Sequence, residues 1–451
     1  MPFIPHTKQE IEEMLAVIGI KNIDQLFDEI PASLPRADIS HLPHGLNEME
    51  IMNLMEERAP KTMPRTSYLG AGAYEHYIPA AVWQIVGRGE FYTAYTPYQA
   101  EASQGSLQLM YEYQTMMAEL MAMDVSNASL YEGASALTEA CLMAVRLKKM
   151  KNSKVLVPAG VNPAYRRVLL SMLKQQEIGV EIIDFDSKTG TINQKALENK
   201  TSPEHVALVI PQPNYFGCLE DVDQLTNWAH QHKLLVIGVV NPTAMALLNP
   251  PGQWGDSGAD IVCGEGQPLG IPLSYGGPYF GFLCCKKEYV RQMPGRIVGE
   301  THDDKGRVGY TLTLQAREQH IRRAKATSNI CTNQGLMVVA ATIYLSLLGA
   351  QGLRDVAIAC HQNAKYLQEL LIKIPGVKLL FHAPFWDEFA IELPKAAESV
   401  IQKMQEHGIQ AGIQIKKDFP HYPNALLICV TETKKHDDLK HYTERFKEAL
   451  Q

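Results

Sequence analysis

Residues 234–285 read LLVIGVVNPTAMALLNPPGQWGDSGADIVCGEGQPLGIPLSYGGPYFGFLCC. Leu234–Val240 is a strand with no polar side chain on either face, and it ends at Asn241 in a proline turn. Gly258–Val262 gives a second strand, followed by a Gly/Pro-rich loop through Gln267 and Pro268. Gly276-Gly277-Pro278, with Gly281, makes a tight turn whose glycines need nothing beyond turn geometry. No lysine or arginine occurs between Lys233 and Lys286. Strands apolar on both faces and separated by helices imply a mainly parallel sheet covered on both sides.

On the amino-terminal side the same alternation continues. Gly105–Met123 is a helix with Leu109, Tyr113, Met116, Met117 and Leu120 on one face, and Ala134–Lys149 is another. Strands at Lys154–Pro158, Val180–Phe185 and Val206–Pro211 alternate with helices Pro163–Gln175 and Asp221–His232. Residues 1–65 form a helical extension: Thr7 and Glu10 make a capping box and Gly19 ends that helix, with shorter helices at Ile23–Glu29 and Leu46–Arg58. Beyond residue 330, helices Gly335–Leu348 and Leu353–Lys373 precede strands Val377–Phe381, Glu388–Leu393, Ile409–Ile415 and Ala425–Val430. The expected division is 1–65 extension, 66–330 large α/β domain and 331–451 small α+β domain.

At 451 residues and 46% hydrophobic content the chain can bury a full core. A net charge of −7 argues against nucleic acid or an anionic membrane as the main partner. The eight cysteines have no C-x-x-C spacing, which reads as free thiols in a reducing compartment rather than zinc or disulfides. The start MPFIPHTKQEIEEM has no apolar signal region, and the apolar run Leu336–Ala350 is short for a membrane span, so a cytoplasmic location is expected.

Three segments could carry chemistry. Leu130-Tyr131-Glu132-Gly133-Ala134-Ser135 opens a helix with small residues, either to offer N–H groups and a hydroxyl to a phosphate or simply as a helix start. Phe91–Glu101 (FYTAYTPYQAE) holds three tyrosines around a proline, suited to a phosphate, a ring or a subunit contact. Arg317–Asn329 is the densest basic segment, to be weighed between anion recognition and a solvated helix face. His76, Ser67, Ser135 and Cys284-Cys285 have no spacing that supports nucleophilic machinery.

Taken together, YTAYTPYQAEASQGSLQLMYEYQTMMAEL (92–120), NASLYEGASALTEA (127–140), GQWGDSGADIVCGEGQPLGIPLSYGGPYFGF (252–282) and REQHIRRAKATSNICTNQ (317–334) resemble glycine dehydrogenase (decarboxylating), the P-protein of the glycine cleavage system. The resemblance implies an aminotransferase type I fold of pyridoxal-phosphate (PLP) enzymes: a large α/β domain with a mostly parallel sheet of seven-stranded type, plus a small C-terminal α+β domain. In such enzymes an aspartate ends the first strand of the opening stretch and pairs with the cofactor's ring nitrogen. A lysine after the second strand holds the cofactor as a Schiff base. Here Asn241 stands at the first position, and Gln267 or Pro268 at the second. Length and the missing lysine resemble the alpha subunit of the two-chain form, in which a homologous beta chain carries PLP.

That resemblance implies decarboxylation of glycine and transfer of the aminomethyl group to lipoyl-H-protein, in an assembly of two alpha and two beta chains. It leaves the alpha chain with no acid, base or nucleophile. It puts Tyr95, Thr96 and Tyr98 across the interface against the beta chain's PLP or glycine, with Arg322, Arg323, Lys325 and Asn329 as further contacts in that pocket or at the lipoyl entrance. Two alternatives stand beside it: a scaffold or regulatory subunit, and an autonomous PLP enzyme using a displaced lysine such as Lys286 or Lys325.

Overall fold

The Thr7 hydroxyl accepts from the Glu10 N–H (3.3 Å) and the Glu10 carboxylate accepts from the Thr7 N–H (2.6 Å), the reciprocal cap expected of this sequence. It starts helix α1 (Lys8–Ile18), which Gly19 closes at φ +85°. The computed structural model describes residues 5–35, 37–62, 66–92 and 95–451. They divide into two units, Met1–Met63 and Pro64–Gln451. In the first, a 3-10 turn at Ile23–Phe27 and helix α2 (Glu48–Thr62) follow α1. None of the residues of α1 is buried, and Val17 and Ile18 are exposed.

The second unit is organised by a seven-stranded sheet of β1 (Val125–Ser126), β2 (Lys154–Pro158), β3 (Gly179–Ile183), β4 (His205–Gln212), β5 (Leu235–Val240), β6 (Ile261–Glu265) and β7 (Gly281–Cys285). Their order is β1-β7-β6-β5-β4-β2-β3, parallel from β3 to β6, with β7 and β1 each antiparallel to its neighbour. Successive side chains on a strand face opposite ways, so a two-sided sheet needs two cores. Leu208 and Ile210 of β4 join one, with Tyr113 and Met117 of helix α3 (Gln104–Leu120). Ala207 and Val209 join the other, with Leu137, Ala140 and Cys141 of helix α4 (Gly133–Lys148).

The sixth strand begins at Ile261, later than expected. Asp260, just before it, keeps backbone bonds to both sides, donating to the Val236 carbonyl (3.0 Å) and accepting from the Lys286 N–H (3.2 Å), while its carboxylate accepts from the Val236 N–H (2.8 Å) and contacts His230 (2.9 Å) and Lys286 (2.7 Å). Those bonds hold its pKa below the usual carboxylate value despite burial.

A hairpin of β8 (Ile297–His302) and β9 (Val308–Thr313) was not expected. Two glutamines of α3 hold it: Gln114 exchanges hydrogen bonds with the Val298 backbone at 2.9 Å each way, and Gln104 with Tyr310 at 2.8 Å. Helix α5 (Gly335–Leu371) is broken at Gly349, φ +61° and ψ −178°, close to where the sequence separates two helices. Its first part (Met337–Leu345) packs into the core of the large sheet, and Ala364, Leu367 and Leu371 pack against the small one.

That small sheet is antiparallel, β10 (Lys378–Leu379), β11 (Glu388–Glu392), β13 (Ala425–Cys429) and β12 (Ile413–Gln414), in that order. The expected strand Ile409–Ile415 is split: Ile409–Gln410 pairs with Thr66–Ser67, and Gly412 turns the chain at φ +136° before β12. The separate cores support a large and a small domain, which we propose to divide near residue 330.

Candidate functional site

The carboxyl ends of β5 and β6 open on a cavity, the place where open α/β sheets bind ligands. Asn241 lies at the end of β5 with its side-chain oxygen accepting from the Thr243 N–H (2.9 Å) and Ala244 N–H (3.4 Å). An amide so engaged supplies no negative charge to a ring nitrogen. After β6, Gln267 is buried and ties its loop to the segment at Tyr74, accepting from the Tyr74 N–H and donating to the Tyr74 and Ile271 carbonyls, each at 2.8 Å. Pro268, not Gln267, lines the cavity, so the position facing the ligand space carries a ring with no amine.

The charged groups of the lining are all acidic. Glu265, Asp387 and Glu388 contribute three carboxyls, and among the described lining residues there is no lysine, arginine or histidine. Burial pushes Glu265 up to about 8 and Glu388 up to about 7, and raises Asp387 well above its usual value, with Glu388 adding repulsion.

Glu265 also reaches helix α4. Its Oε2 accepts from the Gly133 N–H (3.0 Å) and its Oε1 from the Gln267 N–H (3.0 Å). The Ser135 N–H and hydroxyl, read from the sequence as possible phosphate ligands, are both taken by Glu132 (2.8 and 2.6 Å). These residues do not fit PLP: among the described lining residues there is no amine, no carboxylate at the ring-nitrogen position and no cation, and the Gly133 and Ser135 N–H groups are already held by carboxyls.

The displaced-lysine alternative gains nothing from the geometry. Lys286 is paired with Asp260 at the opposite end of β6. Lys325 is exposed and does not line the cavity.

A second cleft forms where the tyrosine segment meets the basic segment, and its centre is Arg296. That residue is 5% exposed, and it donates to Asn333 Oδ1 (2.9 Å), to the Tyr98 hydroxyl (3.3 Å) and, at 3.5 Å, to Thr96 Oγ1. Its guanidinium lies 5.3 Å from the centre of the Tyr98 ring and 3.9 Å from the Glu318 carboxylate. The His320 ring also packs against Tyr98, at 5.1 Å. Arg317 is spent on backbone, donating to the carbonyls of Met293, Gly295 and Leu314.

Of the residues expected from sequence, Thr96 and Tyr98 are thus brought together, through Arg296, with the amino end of the basic segment. Tyr95 is 88% exposed. Thr93 and Ala94 of the same segment lie outside the described residues. Arg322, Arg323 and Lys325 are exposed and do not line this cleft, and Arg322 donates to the Ala316 carbonyl (3.1 Å). Asn329 lines a different cavity, beside Glu139 and Arg146. Arg296, Glu318, His320 and Asn333 were not singled out. The one available signal was a lone arginine inside the apolar run Met293–Val298.

Comparison with known proteins adds the family. The chain is 66% identical over 442 residues to a probable glycine dehydrogenase (decarboxylating) subunit 1 of Coxiella burnetii, covering 98% of each. Its structure is similar over the whole of both chains to a crystal structure of glycine decarboxylase (P-protein) of the glycine cleavage system in inhibitor-bound form, with TM-score 0.87 and 40% identity. A glutamate decarboxylase of Lactobacillus brevis, 12% identical with TM-score 0.67 over 95% of this chain and 96% of its own, shares the fold alone. The fold is that of the type I PLP-dependent enzymes, and the family model for the glycine cleavage system P-protein matches residues 1–446. On these matches and this architecture, the chain belongs to the glycine cleavage system P-protein family.

Proposed function

We propose that this chain is the alpha subunit of a two-chain glycine decarboxylase, working with a homologous beta chain that carries PLP on a lysine. The observation that carries the reading is a pairing: end-to-end similarity to subunit 1 proteins, together with a cavity whose described lining has no lysine to hold the cofactor and an amide, Asn241, at the ring-nitrogen position. PLP, held by the partner, supplies the electron sink for loss of CO2 from glycine, and the aminomethyl group then passes to the lipoyl arm of H-protein.

This chain's part is to complete the partner's site. Tyr95 and Tyr98 present hydroxyls at an exposed edge, where a partner surface would desolvate them and strengthen their bonds to a phosphate or carboxylate. Arg296 holds Tyr98 from behind, so that its ring and hydroxyl are fixed before the partner docks. Arg322, Arg323, Lys325 and Asn329 are assigned to the partner-facing rim or the lipoyl entrance. We place the assembly, two alpha and two beta chains, in the cytoplasm. All eight cysteines are free thiols and seven are buried, as a reducing compartment allows.

The test has two parts. The isolated chain mixed with PLP should give no borohydride-reducible lysine adduct, and an adduct on Lys286 or Lys325 would favour an autonomous enzyme. Co-expressed with the lysine-bearing homologue, Tyr95→Phe and Tyr98→Phe should assemble normally. Losing a hydroxyl bonded to a charged group costs about 1.5–3 kcal/mol, or roughly 10- to 100-fold in glycine–bicarbonate exchange with H-protein. Wild-type exchange from both variants would remove this segment from the active site and leave the scaffold reading.

A further inference from the structure

Helix α4 points its amino terminus toward the cavity at the ends of β5 and β6, and a helix start at such a place is a natural anion seat. The Gly133 N–H, at that seat, does not await a ligand: it is bound to the Glu265 carboxyl (3.0 Å), whose second oxygen is bound to the Gln267 N–H (3.0 Å). The approach is close. A Cβ on Gly133 would collide with the Tyr165 hydroxyl and the Glu265 backbone nitrogen, so a residue without one lets Glu265 and Tyr165 close over the helix end. The Ser135 N–H, two residues on, is taken by Glu132 (2.8 Å).

We propose that Glu265 is an internal substitute for a ligand phosphate, its carboxyl occupying the α4 anion seat so that the cavity rejects phosphorylated pyridines. A phosphate entering here would have to displace Glu265 from both N–H donors and would find Asp387 and Glu388 nearby, with no cation among the described lining residues. Burial pushes Glu265 up to about 8, and in either protonation state its oxygens can keep those two donors. This exclusion goes beyond the absence of a lysine. Restoring the amine alone would not restore the cofactor's hold.

The experiment separates amine from seat and does not depend on the beta chain or on turnover. Pro268→Lys, alone and combined with Glu265→Ala, is titrated with pyridoxal 5′-phosphate and with unphosphorylated pyridoxal, and the borohydride-reduced lysine adduct is quantified. With Glu265 present the phosphate should bring no advantage. With alanine there, the phosphorylated aldehyde should be favoured by on the order of 10-fold, the worth of a charge-assisted hydrogen bond, and inorganic phosphate should compete. A phosphate preference in Pro268→Lys alone, or none in the double variant, overturns the proposal. Should no adduct form in either, equilibrium dialysis of inorganic phosphate decides. Binding to Glu265→Ala but not to wild type supports the inference; equal binding, or none to either, overturns it. Glu265→Ser replaces the alanine variant if that variant does not fold.

Discussion

Arg296→Met tests whether Tyr98 is held in place or merely located there. Methionine fills much of the buried space but removes the hydrogen bond to the Tyr98 hydroxyl (3.3 Å) and the cation over its ring (5.3 Å). The hydrogen bond is long, so it contributes about 1 kcal/mol, and a cation–π contact at a half-exposed ring adds about 0.5–1 kcal/mol. Releasing Tyr98 should therefore lower its productive population by roughly 10- to 30-fold, at 1.4 kcal/mol per factor of ten.

The assay is glycine–bicarbonate exchange by the reconstituted pair with H-protein, run as a cycle of Arg296→Met, Tyr98→Phe and the double variant, with assembly checked by size-exclusion chromatography. If the arginine acts through the tyrosine, the double variant loses much less than the product of the two single losses, a coupling of about 1 kcal/mol. Arg296→Lys, keeping the charge but not the fork, should recover part of the rate. Multiplicative losses, or a fully active Arg296→Met, would refute the argument that the arginine works by positioning Tyr98.

Other outcomes follow from buried groups. Glu388, raised to about 7 by burial, binds its proton at higher pH in the folded than in the unfolded chain. Its contribution is therefore present below the unfolded value and is lost as pH rises through about 7. Glu388→Gln should flatten the fall in urea resistance between pH ~5 and ~8, and an unchanged slope would assign the titration elsewhere. Gly217 sits at φ +80° with a Cβ position that collides with the Glu388 carbonyl, so Gly217→Ala should destabilise by about 2–4 kcal/mol in the same denaturation assay. Removing residues 1–63, whose α1 buries no residue and exposes Val17 and Ile18, should weaken co-purification with the beta chain while the remaining unit keeps its circular dichroism.

Much of the architecture was legible because it is written locally. The Thr7–Glu10 cap, the two-sided apolar strands Lys154–Pro158 and Leu235–Val240, and the break near Gly349 all announce themselves within a few residues. The hairpin of β8 and β9 was not legible, since glutamine side chains of a distant helix hold its backbone, and nothing in Gln104 or Gln114 marks that use. The site divides the same way. The missing amine could be read at once, and the tyrosine segment by its composition. Arg296 could not be matched to Tyr98, 198 residues away in sequence. The phosphate reading of Gly133 and Ser135 failed because carboxyls already held those donors; Glu132 stood within the motif itself, whereas Glu265 reaches it only through the fold.

The Gln267 side chain, which ties its own loop at Ile271 to the distant segment at Tyr74, has a consequence for how the complex is built. In many cofactor enzymes the prosthetic group is itself a structural brace, and the melting temperature follows its concentration by mass action. Here the brace is an amide encoded in the chain, and Tyr74 and Ile271 are tied down by it from the outset. On the function proposed above, this subunit would finish folding without any vitamin-derived molecule, so a cell short of that vitamin would still stock it as a completed half-site. The supply of active complex would then be metered by the other chain alone.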